Sequence, residues 1–113
     1  MPNIFNHIPA NIPQEVFETL LDNEYVKIER IVSKGHTSPE SGWYDQTQHE
    51  WVILLEGAAT ITFKDGKEAG LTKGDYLNIP AHVKHKVSWT DPSCETIWLA
   101  MFYGNKQAEL PAD

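Results

Sequence analysis

The chain is short of cysteine, of basic residues and of long apolar runs. Cys94 is its one cysteine, so no internal disulfide can staple the fold. That usage fits a reducing compartment and gives the expectation of a cytoplasmic protein. Cys94 also follows a turn-like Asp91-Pro92-Ser93 segment with no basic neighbour to activate it, so it is read as unreactive. Lysine and arginine number 9 against 16 aspartates and glutamates, a net charge of −7. No basic stripe is visible, and no nucleic-acid partner is expected. No apolar run is long enough to cross a bilayer, and Met1 to Ala10 lacks the basic-then-apolar pattern of a signal peptide, so no membrane partner is expected. No unit of about 20–50 residues repeats, which excludes a solenoid.

What is present is an ordinary globular composition, 41% hydrophobic and 22% charged. At 113 residues the chain is expected to form one domain with a single core. Residues 1–24 read as an arm and a short helix packed on a barrel, 25–104 as the barrel, and 105–113 as a polar tail. Ile4, Phe5 and Ile8 give the arm apolar anchors. Asn11-Ile12-Pro13-Gln14 resembles a helix start, with Asn as cap and Pro in the first turn. Val16, Phe17, Leu20 and Leu21 would then share one helical face.

From Tyr25 the period becomes two. Val26, Ile28, Arg30 and Val32 fall on the more apolar side, and Arg30 there is either an ion-paired, snorkelling residue or a cation lining a cavity. Trp51 to Leu55 is a near-continuous apolar run closed by Glu56-Gly57, the signature of a buried strand entering a turn. Ala58 to Lys64 returns, Asp65-Gly66 marks a hairpin, and short strands follow at Lys67 to Gly70 and Tyr76 to Ile79. Val83, His85, Val87 and Trp89 alternate with polar neighbours, which puts His85 on an apolar face. Glu95 to Tyr103 is apolar on both faces. Many short strands with frequent turns predict an all-β sandwich or barrel.

Glu50 at the mouth of one buried strand and His85 on the inner face of another are the metal- and proton-competent pair. A carboxylate there is costly unless something compensates it. If the strand phase runs back through the preceding polar segment, Gln46, Gln48 and Glu50 share a face. His82, at the Pro80-Ala81-His82 corner, is a further candidate, and His49 is expected to point away from Glu50.

Gly74-x5-Pro80-x-His82-x2-His85 resembles the second motif of the cupin superfamily, G-x5-P-x-G-x2-H-x3-N. Glu50-x6-Gly57 resembles the end of the first, G-x5-H-x-H-x3,4-E-x6-G. Ser38-Pro39, Trp43 to Gln46, Glu50 to Val52 and Ile79 to His85 are similar to a subgroup of small, single-domain bacterial cupins. The resemblance covers roughly Tyr25 to Tyr103. It implies a cupin-type β-barrel, a double-stranded β-helix or jelly roll, with a divalent metal (Zn, Fe, Mn or Ni) in the barrel. The metal set it implies is Gln46, Glu50, His82 and His85. Tyr44, Glu50 and His82 are the catalytic candidates, and Arg30, Gln46 and Gln48 the ligand-binding ones. Four positions depart from the pattern. Tyr44 and Gln46 stand where the first-motif histidines would. His82 replaces a glycine and Trp89 an asparagine. Three readings follow. One is a metal-dependent enzyme on a small oxygen-rich molecule, of dioxygenase, isomerase or lyase type, or a metal-free acid–base isomerase using Glu50 and His85. The second is a non-catalytic ligand- or metal-binding sensor. The third is a buried ion pair in a structural barrel. A homodimer is expected, because the double-sided apolar strands need a cover.

Overall fold

The computed structural model describes residues 1–104; the expected polar tail, 105–113, lies outside the described residues. Eight strands follow in chain order: β1 (Val16–Asp22), β2 (Val26–Ser33), β3 (His49–Glu56), β4 (Ala58–Phe63), β5 (Glu68–Thr72), β6 (Tyr76–Ile79), β7 (His85–Thr90) and β8 (Thr96–Tyr103). They form a five-stranded sheet, β1-β2-β8-β3-β6, and a three-stranded sheet, β5-β4-β7. Every named strand pair is antiparallel. The expected all-β barrel of jelly-roll type fits this arrangement.

The core lies on the inner faces of the two sheets. Val52 and Leu54 from β3 and Trp98 and Ala100 from β8 meet Ala59 and Ile61 from β4, with Leu71 and Ile79. The alternation that sequence periodicity requires is therefore real in β3: Glu50, Val52 and Leu54 are buried while their neighbours are half-buried. Gly57 makes the β3–β4 turn with φ at 91°, in the left-handed region. A Cβ there would lie 2.6 Å from the Thr96 Cα and 2.9 Å from the Glu95 carbonyl. The glycine that closes the first motif is thus a requirement of packing as well as of dihedral angle.

The expected N-terminal helix is not formed; among the described residues there is no helix, and Val16–Asp22 is a strand on the edge of the larger sheet. The reason is visible in its pairing with β2. Phe17 pairs with Ile31 and Glu18 with Arg30, and the register slips between Thr19 and Leu21. A bulge at Leu20 inserts one residue, so period-two alternation is broken and imitates a helical spacing. A helix of two turns would be marginal alone, whereas β1 completes a ladder already nucleated by β2.

Bulging also resets β7. Thr60 pairs with Trp89 but Ile61 pairs with Val87, leaving Ser88 as the extra residue. His85 and Val87 keep the inward phase, Trp89 turns out to solvent, and Thr90 is buried.

Candidate functional site

Between the sheets opens a cavity of about 340 Å³. Its apolar wall includes Val52, Ile61, Val87, Trp98 and Phe102. Its polar groups are Glu15, Glu29, Tyr44, Gln46, Glu50 and His85. Such a cleft, apolar with a few convergent polar groups, is the form a small-ligand site takes.

β3 and β7 carry its central pair. Glu50 is 9% exposed and His85 4%. Glu50 Oε1 lies 3.3 Å from His85 Nε2. The opposite ring nitrogen, Nδ1, donates to the Val83 carbonyl at 2.9 Å. That bond fixes the ring and places Nε2 towards Glu50. Burial acts against the charged ring, but the Glu50 hydrogen bond, the Val83 carbonyl and the Glu50 charge together outweigh it. The His85 pKa is raised above its ordinary 6.5. The pair is therefore a buried histidine and carboxylate within hydrogen-bond reach, with the charged form of the ring favoured by its partner.

The segment before β3 is tied to β7 by backbone. Tyr44 N–H donates to the His85 carbonyl at 2.8 Å, and His85 N–H returns to the Tyr44 carbonyl at 3.2 Å. This bridge brings Tyr44 and Gln46 to the cavity wall. The Tyr44 ring stands 5.7 Å from the His85 ring, centroid to centroid.

Three of the expected site residues lie elsewhere. Arg30 does not enter the cavity. It faces the outer side of the sheet, where its guanidinium donates to the carbonyls of Ile4 at 3.0 Å, Asn6 at 2.6 Å and His7 at 3.4 Å, and pairs with Glu18 at 2.7 Å. The ion-paired alternative is the one realised. Gln48 donates to the carbonyls of Tyr25 and Gly104. The chain bends at residues 47–48, so the strand phase does not run back from Glu50 and Gln48 is carried off the shared face. His82 is half-exposed, hydrogen-bonded to Asp45 at 2.7 Å, and does not line the cavity. Its backbone lies in the left-handed region that glycine favours, with φ at 65°. His49 points away from Glu50 as expected, its Nδ1 accepting from the Ala81 N–H at 3.0 Å.

Two carboxylates escaped sequence reasoning. Glu15 accepts from the Ser33 hydroxyl. Glu29 pairs with Lys27 at 3.3 Å. The signal for Glu29 was the phase it shares with Ile31 on β2, the face opposite Arg30.

The residues present can be tested against a metal. The Nε2 side of His85 is set up as a ligand would be, and Glu50 stands beside it. Beyond them Gln46 offers only a weak neutral oxygen, and His82 is engaged outside. Among the described residues, no three of His, Cys, Asp and Glu come together to hold an ion. Three protein ligands are the usual minimum for a catalytic zinc. The expected set of Gln46, Glu50, His82 and His85 is not assembled, and the donors do not fit a resident divalent ion.

A sequence model of the cupin domain matches residues 30–102. The chain belongs to the cupin superfamily. Among solved structures, this cupin is 40% identical to a Ralstonia eutropha JMP134 protein provisionally described as a mannose-6-phosphate isomerase. The alignment covers 91% of this chain and 96% of that one, with a TM-score of 0.86. A cupin superfamily protein of Desulfitobacterium hafniense DCB-2 is 23% identical over 85% of this chain and 83% of its own, TM-score 0.71. An RmlC-like cupin of Methanocaldococcus jannaschii, with a double-stranded β-helix fold, is 19% identical over 88% and 89%, TM-score 0.70. The last two establish the fold alone. No curated protein matches the chain.

Proposed function

We propose that this cupin binds a small oxygen-rich molecule in the barrel and moves a proton within it, as a metal-free isomerase of the acid–base kind. The observation that carries this reading is the buried Glu50–His85 pair, 3.3 Å apart, on the wall of the cavity. The raised His85 pKa favours the charged ring, an acid beside a ready base. The description of the Ralstonia protein as an isomerase supports the reaction class.

For a hydroxy-carbonyl ligand the steps balance without a further reagent. The Glu50 carboxylate takes the proton from the carbon next to the carbonyl, and His85 Nε2 gives its proton to the carbonyl oxygen. The neutral enediol then returns a hydroxyl proton to His85, while the proton on Glu50 goes to the neighbouring carbon. The carbonyl has moved by one carbon and both groups are restored. Tyr44 and Gln46 orient the ligand from the wall.

The test is deuterium incorporation into aldoses and ketoses, free and phosphorylated, incubated with the protein in D2O and read by mass spectrometry. Exchange above background that disappears in Glu50→Gln and in His85→Gln supports the reading. Binding with no exchange would make the protein a ligand-binding module instead. Elemental analysis of untagged protein beside His85→Ala is the second arm: near-stoichiometric metal lost in the variant would replace acid–base chemistry with metal chemistry.

We also propose a cytoplasmic homodimer. The outer face of the larger sheet carries Trp51, Ile53, Leu99 and Met101, half-buried in one chain, and a second copy would cover them. Sedimentation at equilibrium checks it.

A further inference from the structure

The cavity also speaks to which ligand it takes, an inference that rests on its being the ligand site proposed above. Its ionisable lining is three carboxylates, one histidine and the Tyr44 phenol, and among the described residues no lysine or arginine lines it. His85 answers Glu50. Lys27 reaches the site only through Glu29, at 3.3 Å, and is spent there. Glu15 has a hydroxyl partner, which shares no charge. With all three carboxylates ionised, the sum is negative even when His85 and Lys27 are both counted as cations. An anionic ligand would enter against that field, without the arginine fork or lysine point charge that phosphate recognition uses.

The hydrogen-bonding groups suit a neutral, hydroxyl-bearing guest. Carboxylates are acceptors, and Gln46 and Tyr44 can each accept or donate. Trp98 is the large aromatic residue of the wall. Trp98 is 3% exposed, it lines the cavity, and its Nε1–H has no protein acceptor. The indole nitrogen itself is closed off from the cavity space, so the ring serves as part of the wall. A ligand rich in hydroxyls suits this lining, giving its O–H groups to the carboxylates and exchanging hydrogen bonds with Gln46 and Tyr44, while Trp98 in the wall reports its arrival.

From these two observations we infer that the ligand is an uncharged polyhydroxy compound, a free sugar or sugar alcohol. A phosphorylated or carboxylated one is rejected. The substrate class thus differs from the sugar phosphate named for the Ralstonia protein.

The experiment is NMR titration of the full chain, 15N-labelled at its tryptophan indoles, with the Trp98 signal assigned through Trp98→Phe. The probes are mannose, xylose, sorbitol and glycerol as neutral polyols, and mannose 6-phosphate as the anion. We expect a saturable shift of the Trp98 indole signal with at least one polyol, and at least about tenfold weaker binding of mannose 6-phosphate than of mannose. In Glu29→Gln, which frees Lys27, the mannose 6-phosphate disadvantage should shrink severalfold. Equal or tighter binding of the phosphate in the wild type overturns the inference. So does a ratio unmoved by Glu29→Gln, or no Trp98 shift with any polyol. The two proposals fail separately. Polyol binding without deuterium exchange removes the isomerase and keeps the ligand class. Exchange confined to the phosphorylated sugar does the reverse.

Discussion

Replacing Glu50 with glutamine removes one charge and little volume, and its cost should depend on pH in a way set by His85. Across 3.3 Å the attraction between the two charges is ~5 kcal/mol at an effective dielectric constant of about 20. Burial opposes the charged ring and takes back part of this. Breaking a buried pair by deleting one member typically costs ~3 kcal/mol or more when the survivor stays charged. A histidine need not stay charged. The His85 pKa is raised in the folded chain, so the pair's contribution is complete below the ordinary value of 6.5 and is lost as pH rises through the folded value. Glu50→Gln should therefore destabilise by ~3 kcal/mol near pH 5.5 and by no more than about 1 kcal/mol near pH 9. Urea unfolding of both proteins at the two pH values measures the difference. In the variant the imidazole titration, followed by NMR, should fall below its wild-type midpoint, since the strongest raising influences are gone. A penalty equal at both pH values, or larger at the alkaline one, would refute the assignment of an ion pair.

Three further substitutions test the scaffold and the corrected site. Gly57→Ala should cost at least about 3 kcal/mol in urea unfolding, because the left-handed dihedral and the approach to Thr96 and Glu95 act together. Arg30→Ala should cost about 2–3 kcal/mol and expose the chain to protease near Phe5, since three arm carbonyls and Glu18 lose their donor; ligand binding should be unchanged. His82→Gly should shift stability by less than about 1 kcal/mol, the relief at φ 65° offsetting the loss of a half-exposed pair with Asp45, and should leave deuterium exchange intact.

How much of this was legible in the sequence varies with how local the determinant is. Tyr76–Ile79, the Asp65-Gly66 hairpin, and the inward phase of Glu50 and His85 follow from periodicity that nothing interrupts. The bulges at Leu20 and Ser88 are non-local, because each exists only in register with a partner strand. They hid β1 behind a helical spacing and turned Trp89 outward. The inner face of β2 misled for another reason. In a closed core the apolar side points in, but here that side carries Ile28, Arg30 and Val32 and faces the arm. The side reading Lys27, Glu29, Ile31 and Ser33 lines or borders the cavity. Hydropathy alone cannot tell a solvated face from a ligand-facing one. Gln48 failed on a bend of two residues that no turn signal announced.

The departures from the cupin metal pattern are best tested by reversing them. Tyr44 and Gln46 occupy the positions of the first-motif histidines, and both line the same cavity as Glu50 and His85. What is missing is donor chemistry, since the place for it is already built. Tyr44→His combined with Gln46→His would add two imidazoles to one carboxylate and one imidazole, a four-donor N/O set of the kind that holds zinc. The doubly substituted protein should bind about one Zn per chain by elemental analysis after dialysis, while the parent does not. The added ion would displace the Nε2 proton, so the His85 titration seen in the parent should disappear. Proton exchange into ligand should fall with it, because Glu50 and His85 would be coordinated rather than free to pass a proton. A folded double variant that takes up no metal would mean that the cavity, and not merely its donor set, differs from a metal-binding barrel.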